Sequence, residues 1–284
     1  MSPGMEKSKR MSSPIAIVRK QQREWANRRG IAIDSGDYTE SLQQNLFKLL
    51  SAGARADFEQ GDGRELGEPG VRGKMQALRS SSALGCNVFD YWRGRDAAPI
   101  VRALGFTETV TGIDFERKFP TGLRGNAPNL DVVLTCASDR LIAIECKFLE
   151  PYGPHSSGFK PKYFESKPGL WEKLGFRECQ ALAERIQSGE ESYRWLNPEQ
   201  LLKHILGLSN TLRCDWSLLY LWYEVPGAAT AEHAAEAERF AAIASKDGIH
   251  FKAISYQELY RALAGNSLEK HREYLTYLGE RYFR

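Results

Sequence analysis

The chain has 284 residues, 42% of them hydrophobic and 26% charged, and its formal net charge is +3. This composition is typical of a globular protein and excludes a disordered one. The sequence contains neither an apolar run of about 18 residues nor the apolar region of a secretory signal, so we expect no membrane partner. The five cysteines are scattered without a CxxC pair, which favours reduced, buried thiols in a cytoplasmic protein over disulfides or a zinc site.

A basic N-terminal helical extension is predicted over residues 1–60. Residues 1–30 carry eight Lys or Arg against two Glu, a charge that suits both phosphate contacts and a solvated terminus. Apolar spacing predicts helices over 14–29 and 38–58. The second helix would place four leucines on one face: Leu42, Leu46, Leu49 and Leu50. The stretch QGDGRELGEPGVRGK then holds five glycines and a proline, which predicts a flexible linker over 61–73.

The remaining residues, 74–284, are predicted to form the main domain. Apolar periodicity and turn residues delimit its elements. Helices are expected over 74–89, 97–104, 171–188, 198–211, 228–245, 256–264 and 268–282. Strands are expected over 112–119, 130–136, 141–148, 216–225 and 250–254. This order of elements predicts the α/β class, with a central mixed sheet flanked by helices.

Two neighbouring predicted strands carry charged residues inside apolar runs: Asp131, Glu145 and Lys147. Burying such groups unpaired costs several kcal/mol. Glu145 and Lys147 share one face of their strand, because side chains alternate along a strand. A two-residue turn at 138–139 would pair Asp131 with Cys146, which points to the other face. An odd-length loop or a bulge would instead set Asp131 opposite Glu145 or Lys147, so a converging cluster requires one of these.

Two carboxylates that meet at one edge repel each other unless one takes up a proton or a cation lies between them. Mg²⁺ prefers such oxygen ligands together with water and substrate phosphate, so Asp131 and Glu145 predict a Mg²⁺ site in which Mn²⁺ would substitute. The backbone carbonyl of Cys146 would be a further ligand. A metal of this kind polarises phosphoryl oxygens and activates water, and Lys147 would hold the attacking water. The cluster thus indicates phosphodiester hydrolysis. The alternative is a structural Glu–Lys pair, with Asp131 capping a turn.

Asp131 followed by Glu145-Cys146-Lys147 at the end of an apolar strand resembles the PD-(D/E)xK signature of restriction-endonuclease-like nucleases. Leu130 stands where the signature has its proline, although Pro128 lies nearby. The resemblance extends over the element order of residues 74–262. It implies a restriction-endonuclease-like core, a Mg²⁺-dependent nuclease activity and, in most such proteins, DNA as the substrate.

The same resemblance implies roles for residues outside the hairpin. Glu116 in DFERKF resembles the extra acidic residue of the metal site, although an exposed strand position also explains it. Gln200 and Lys203 in EQLLKHI resemble residues that a later helix brings to the site; a helix-surface glutamine is the alternative. The stretch SSSALGCNVFDYW resembles an opening helix with polar contacts to nucleic acid, which would be Ser81, Ser82 and Asn87. Serine and asparagine also commonly satisfy local backbone groups.

The loop 151–170 follows the Glu145–Lys147 strand and therefore starts at the mouth of the predicted site. Three lysines in it would bind phosphate: Lys160, Lys162 and Lys167. Three aromatic residues would either stack on bases or anchor the loop to the domain: Tyr152, Phe159 and Tyr163. A second ExK, Glu165-Ser166-Lys167, lies in this polar loop without a strand around it and does not predict a second site.

These observations predict a Mg²⁺-dependent endodeoxyribonuclease that binds nucleic acid, with a homodimer as an oligomer suited to cutting both strands. The main alternative is a non-catalytic nucleic-acid-binding or assembly module that kept the fold. Retention of all three charged residues speaks against it, because a decayed site would usually have lost one. A glycosidase would need two carboxyls on either side of a sugar cleft, and the adjacent lysine fits this poorly.

Overall fold

The computed structural model describes residues 13–154, 158–165, 168–212, 214–265 and 269–283. The α-helices are α1 (Pro14–Arg28), α2 (Ala52–Gln60), α3 (Ser81–Phe89), α4 (Ala98–Ala103), α5 (Arg177–Ser188), α6 (Pro198–Thr211), α7 (Ala228–Lys246), α8 (Tyr256–Gly265) and α9 (Arg272–Tyr282). Short 3₁₀ helices cover Leu42–Asn45, Lys74–Gln76, Asp90–Trp92, Glu150–Tyr152, Pro161–Tyr163, Glu172–Leu174 and Glu269–His271. The strands are β1 (Gly67–Glu68), β2 (Val71–Arg72), β3 (Val110–Lys118), β4 (Asn129–Cys136), β5 (Leu141–Lys147), β6 (Trp216–Trp222) and β7 (Phe251–Ser255).

A five-stranded sheet with the order β3-β4-β5-β6-β7 forms the centre of the molecule. It is antiparallel from β3 to β5 and parallel from β5 to β7. Strands β5 and β6 are apolar and almost wholly buried, because helices cover both of their faces. The connection from β5 to β6 contains α5 and α6, and that from β6 to β7 contains α7. The prediction of an α/β protein with a central mixed sheet flanked by helices is therefore confirmed.

The two faces of the sheet bury two hydrophobic cores. Ile142 and Ile144 of β5 point to the face that packs against α1, α3, α8 and α9. Ala143 of β5 and Leu218 of β6 point to the opposite face, which packs against α5, α6 and α7. We call these the α3-side core and the α6-side core. Because β5 contributes side chains to both, residues at its carboxyl end lie between the two cores.

The buried guanidinium of Arg281 joins α9 to the N-terminal residues. Its Nε lies 3.4 Å from Gln22 Oε1, its Nη1 lies 2.7 Å from Asn45 O and 2.6 Å from Tyr277 Oη, and its Nη2 donates to Asn45 Oδ1. The guanidinium also stacks 4.2 Å from the ring centre of Trp25. We call these five residues the Arg281 cluster. This cluster places α1 in the same core as the main domain. The predicted linker contains the β1–β2 hairpin. The division of the chain at residues 61–73 stays a prediction.

The predicted helix over 38–58 is wrong. A 3₁₀ turn precedes α2 instead, and Leu49, expected on an apolar face, is 64% exposed. Tertiary hydrogen bonds hold this segment away from helical geometry, because Asn45 Nδ2 donates to the carbonyls of Met75 and Ala77 at 2.6 and 2.9 Å. Leucine spacing alone does not outweigh such contacts.

Other elements differ from their predicted bounds by a few residues. The helix expected from residue 74 begins at Ser81, because the Ser80 hydroxyl caps it by accepting the Ala83 N–H at 3.1 Å. The helices expected from 171 and 268 begin at Arg177 and Arg272. Within the described residues, every helix is too short or too polar to span a bilayer.

Candidate active site

The β4–β5 hairpin has a loop of odd length. Val132 pairs with Ile144, and the chain turns through residues 137–139, the last of which has a φ of 59°. Continuing the register by one residue places Asp131 opposite Glu145. The three-residue loop therefore meets the requirement that the converging cluster sets on the turn.

Strands β3 and β4 are both irregular next to Asp131, so that side chains before and after the irregularity point to opposite faces of the sheet. Glu116 has a φ of 51°; Phe115 before it packs in the α3-side core, and Phe119 after it packs in the α6-side core. An undistorted strand would put both phenylalanines on one face. On β4, Leu130 and Val132 likewise belong to opposite cores. The aspartate between them thus lies at the boundary of the two cores.

The Asp131 carboxylate lies against the end of β5. Its Oδ2 accepts the Cys146 N–H at 2.6 Å. Burial and the like charge of Glu145 raise the pKa of Asp131 well above its usual value, against the opposing effect of the Lys147 ammonium. Two carboxylates that disturb each other in this way would both be stabilised by a cation placed between them.

Glu145 is 1% exposed, and side chains from β5 and α6 surround its carboxylate. Its Oε1 accepts Lys147 Nζ at 2.5 Å and Gln200 Nε2 at 2.7 Å. Its Oε2 lies 2.8 Å from His204 Nε2. Burial alone would raise the pKa of Glu145, but the neighbouring Lys147 and His204 outweigh burial and lower the pKa to about 2. Glu145 is therefore an anion throughout the neutral range.

Lys147 is held as an ammonium at the mouth of the site. Burial would lower the pKa of Lys147, but the carboxylates of Glu145, Asp131 and Glu150 together raise it above its usual value. The side chain is 17% exposed. It is a fixed positive charge beside two carboxylates.

Helix α6 supplies the remaining groups around Glu145. Gln200 was predicted near the site from the sequence, and its amide binds the carboxylate. His204 was not predicted; its spacing of four residues from Gln200 places it on the same helix face and is the signal that would have identified it. Gly207 continues that face, and a Cβ built on it would lie 2.3 Å from Phe119 O. The missing side chain at Gly207 thus lets α6 approach the sheet closely.

Glu116 lies within electrostatic reach of Glu145. Its Oε2 accepts Asn129 Nδ2 at 3.0 Å. Burial raises the pKa of Glu116 despite this hydrogen bond, and the like charges of Glu65 and Glu145 raise it further. Lys74, which lies 3.6 Å from Glu65, has the opposite effect. Glu116 therefore adds a third acidic group to the edge of the site, bound to a neutral amide.

Predicted lysines of the loop and of α6 lie near one another. Lys203 Nζ lies 5.2 Å from the ring centre of Phe159 and 5.5 Å from that of Tyr163, and Lys162 Nζ lies 5.5 Å from the same Tyr163 ring. Burial lowers the pKa of Lys203, and the ammoniums of Lys160 and Lys162 lower it further. Lys162 Nζ donates to Arg124 O at 2.6 Å. Lys167, the other predicted phosphate contact, lies outside the described residues.

The aromatic residues of the loop anchor it to the domain. Phe159 and Tyr163 are buried in the α6-side core, where both lie beside Trp171. Tyr152 donates its hydroxyl to Tyr223 O at 2.8 Å. Of the two explanations open from the sequence, anchoring is the one that this packing supports, and base stacking by Phe159 and Tyr163 is excluded by their burial.

The three predicted contacts of α3 differ in their surroundings. Asn87 is 3% exposed; its Oδ1 accepts the Phe47 N–H at 2.6 Å, and its Nδ2 donates to Asn45 O and Tyr282 Oη. Two backbone groups and the Tyr282 hydroxyl occupy the amide of Asn87, which speaks against its predicted contact with nucleic acid. Ser81 lines a cavity of about 320 Å³, together with Ser82, Lys74, Arg79 and Glu150.

The residues present fit a small divalent cation. Among the described residues, no group of three or more histidine, cysteine, aspartate and glutamate side chains is arranged to hold a metal ion. Mg²⁺ needs fewer protein ligands, since one or two carboxylates suffice with water and phosphate. Glu145 Oε2 is buried, and the described part of the chain gives it no well-directed hydrogen bond, because the His204 N–H does not point along the short contact. This acceptor, with Asp131 beside it, could take a cation.

One family model matches almost the whole chain. Its description is Restriction Endonuclease associating with ARP, and it matches residues 18–283. No curated protein and no solved structure matches the chain. The family match and the mixed five-stranded sheet together confirm the predicted restriction-endonuclease-like fold. The chain therefore belongs to the REase-ARP family.

Proposed function

We propose that the chain is a divalent-metal-dependent endonuclease that hydrolyses phosphodiester bonds in DNA. The observation that carries this proposal is the convergence of Asp131 and Glu145 on neighbouring strands, with the Lys147 ammonium and the Gln200 amide on the same carboxylate. The family description, which names restriction endonucleases, supports it.

Asp131, Glu145 and the backbone carbonyl of Cys146 would hold Mg²⁺, or Mn²⁺ in its place, and Glu116 would assist directly or through water. When bound, the metal would polarise a phosphoryl oxygen and lower the pKa of a water molecule. The raised pKa values of Asp131 and Glu116 support this assignment, because carboxylates that repel each other are stabilised by a shared cation.

Lys147 would act on the reacting groups as a cation. Its pKa is raised by three carboxylates, so it keeps its proton at neutral pH and cannot serve there as a general base. As a donor it would orient the attacking water or stabilise the negative charge that develops on the phosphate. Gln200 would fix the Glu145 carboxylate by its hydrogen bond to Oε1.

Positive side chains on two sides of the site would hold the DNA backbone. Lys160, Lys162 and Lys203 lie on the α6 side. On the α3 side, Lys74 and Arg79 line the cavity that contains Ser81. Such contacts neutralise phosphates and position the strand without reading its sequence.

Nicking of supercoiled plasmid tests the proposal, because a closed circle offers no ends to an exonuclease. We expect nicking with Mg²⁺ or Mn²⁺, none in EDTA, and none by Glu145→Gln, which keeps the shape but loses the ligand charge. Glu178→Gln is a matched control on the surface of α5, where the carboxylate pairs with Lys246. Metal-dependent nicking retained by Glu145→Gln would remove that residue from the mechanism.

A non-catalytic nucleic-acid-binding or assembly module is the second candidate. Two observations favour it: Glu145 is already surrounded by three polar side chains, and the family description names an association with ARP. We propose that a partner of that name binds this chain in either case. The protein would then bind DNA but would not nick it with any metal tested, whether or not the partner is present. That result would favour the module over the nuclease.

We further propose a cytoplasmic location and a homodimer. All five cysteines are free and four are buried, which suits a reducing compartment. Two copies would bring two sites to the two strands of a duplex. Sedimentation of the purified protein with and without a short duplex would test the dimer.

A further inference from the structure

We propose that His204 is a positioning residue that, together with Gln200, holds the Glu145 carboxylate in the orientation needed for metal binding. This inference rests on the proposed metal-dependent function. It assigns a role to a buried histidine that the sequence motif does not contain.

The two oxygens of Glu145 are each held by a different side chain of α6. Gln200 Nε2 lies 2.7 Å from Oε1, and His204 Nε2 lies 2.8 Å from Oε2. Gln200 and His204 are one helical turn apart, so a single rigid element sets both contacts. A carboxylate contacted at both oxygens is restrained from rotating about its terminal bond, which is the freedom that a metal ligand has to lose.

The chemistry of the contact fixes which nitrogen of His204 carries a proton. A carboxylate oxygen repels the lone pair of an unprotonated nitrogen, so the nitrogen 2.8 Å from it carries a proton, although its N–H is not directed along the contact. The proton therefore lies on Nε2. Within the described residues, Nδ1 has no hydrogen-bond partner, and Glu145 is the polar group that His204 approaches.

A role in packing alone does not account for His204. The side chain is 1% exposed on a helix whose neighbouring residues, Leu201, Leu202 and Ile205, are buried and apolar. A buried imidazole nitrogen without a well-directed partner lowers stability, which a leucine in the same place would not do. The short contact of Nε2 with the Glu145 carboxylate is the electrostatic gain that accompanies this cost.

The imperfect direction of the His204 N–H has a consequence for the metal. Because the N–H does not point along the N–O line, Oε2 keeps the capacity to accept a further bond. His204 therefore restrains Oε2 without saturating it. Lys147 and Gln200, by contrast, both bind Oε1. The oxygen beside His204 is the one left for the cation.

Three substitutions at His204 test the inference. Gln can place its amide nitrogen where Nε2 lies, Asn reaches only as far as Nδ1, and Leu removes the donor while filling the space. His271→Gln is the control, since His271 is also buried but lies among Tyr91 and Trp92 on the α3 side. The readouts are Mn²⁺ affinity by calorimetry, unfolding temperature in EDTA, and plasmid nicking.

We expect His204→Leu and His204→Asn to weaken Mn²⁺ binding by about 10- to 100-fold, the usual effect of removing a group that orients a ligand. His204→Gln should restore most of the affinity, and His271→Gln should leave it unchanged. If His204→Leu fails to fold, the comparison of Gln with Asn decides the question.

Wild-type Mn²⁺ affinity in His204→Asn or His204→Leu would overturn the positioning role and leave the proposed nuclease intact. Equal losses in the Gln and Asn variants would also overturn it, since a donor at the position of Nε2 would then be irrelevant. Failure of the wild-type protein to bind Mn²⁺ or nick plasmid would overturn the proposed function itself, and this inference with it.

Discussion

Two buried polar clusters of the molecule differ in how completely their hydrogen bonds are satisfied. In the Arg281 cluster all three guanidinium nitrogens donate to neighbouring groups, and Trp25 stacks on the cation. Around Glu145, by contrast, Oε2 and both ring nitrogens of His204 lack a well-directed partner in the described part of the chain. Both clusters lie in the interior, and both join helices to the rest of the fold.

The difference shows what each cluster does. A cluster that only holds helices together gains most when its charged group uses every donor, as the Arg281 guanidinium does, even though Trp25 Nε1 beside it has no partner in the described part of the chain. The Glu145 cluster keeps an acceptor unused and places two carboxylates close together, which lowers stability. Cost of this kind inside a well-packed protein is typical of a site arranged for a ligand. The predictions below test whether the two clusters separate activity from stability.

Lys147→Met and Arg281→Met form the sharpest pair, because each removes one buried or half-buried positive charge. We expect Lys147→Met to lower the plasmid nicking rate by about a hundredfold or more, as loss of a charge-stabilising donor typically does. Its unfolding temperature should change little by comparison, because Gln200 and His204 still hold Glu145. Nicking at the wild-type rate would contradict the proposed role of Lys147.

Arg281→Met should act in the opposite way. It leaves Asn45 and Tyr277 without their buried donor, and we expect it to lower the free energy of unfolding by about 2–4 kcal/mol. The nicking rate per folded molecule should stay near that of wild type. Urea unfolding measures the first quantity and a folded-fraction-corrected assay the second. A stable but inactive variant would show that the two clusters are not separate in function.

Asp131→Asn should change how stability depends on pH. Burial and Glu145 raise the pKa of Asp131 in the folded state, so its contribution is complete below the unfolded pKa of about 3.9 and is lost as pH rises through the folded value. In EDTA, the wild type should therefore lose stability relative to Asp131→Asn as the pH rises above about 4. Added Mg²⁺ should stabilise the wild type alone. A gap independent of pH would contradict the coupling between the two carboxylates.

The smallest effect is expected at the edge of the site. Lys160→Ala should weaken DNA binding similarly for all sequences and lower the slope of log affinity against log salt by about 1. Lys246→Ala, a surface lysine of α7 paired with Glu178, is the matched control and should leave the slope unchanged. Fluorescence anisotropy with a short duplex at several salt concentrations measures both. An unchanged slope in Lys160→Ala would remove that lysine from the binding surface.

The sequence predicted those parts of the site that depend on strand periodicity. Asp131, Glu145 and Lys147 interrupt apolar strands. Because side chains alternate along a strand, the convergence of these residues depended on whether one loop has an odd length. A three-residue loop is found there, ending in Asp139 with a positive φ. The order of helices and strands was predictable for the same reason, because each element carries its own apolar period.

The rest depended on contacts between residues far apart in the chain. Asn87 lies in a stretch whose serines and asparagine are typical of a polar helix start, but three interior groups occupy its amide. The leucines at 42–50 have helical spacing, yet Asn45 binds the backbone near residue 76. His204 follows from helix periodicity once Gln200 is placed, but nothing in the local sequence shows that its neighbour is a carboxylate.

The proposed site also depends on Gly207, a residue without a side chain. An alanine there would put a methyl carbon 2.3 Å from Phe119 O, and α6 would have to tilt outward to admit it. Gln200 and His204 ride on the same face of that helix, so both would withdraw from Glu145 in one movement. A homologue with this one substitution would keep every residue of the signature and would still lack nicking activity. Inspection of the motif alone would not show the loss.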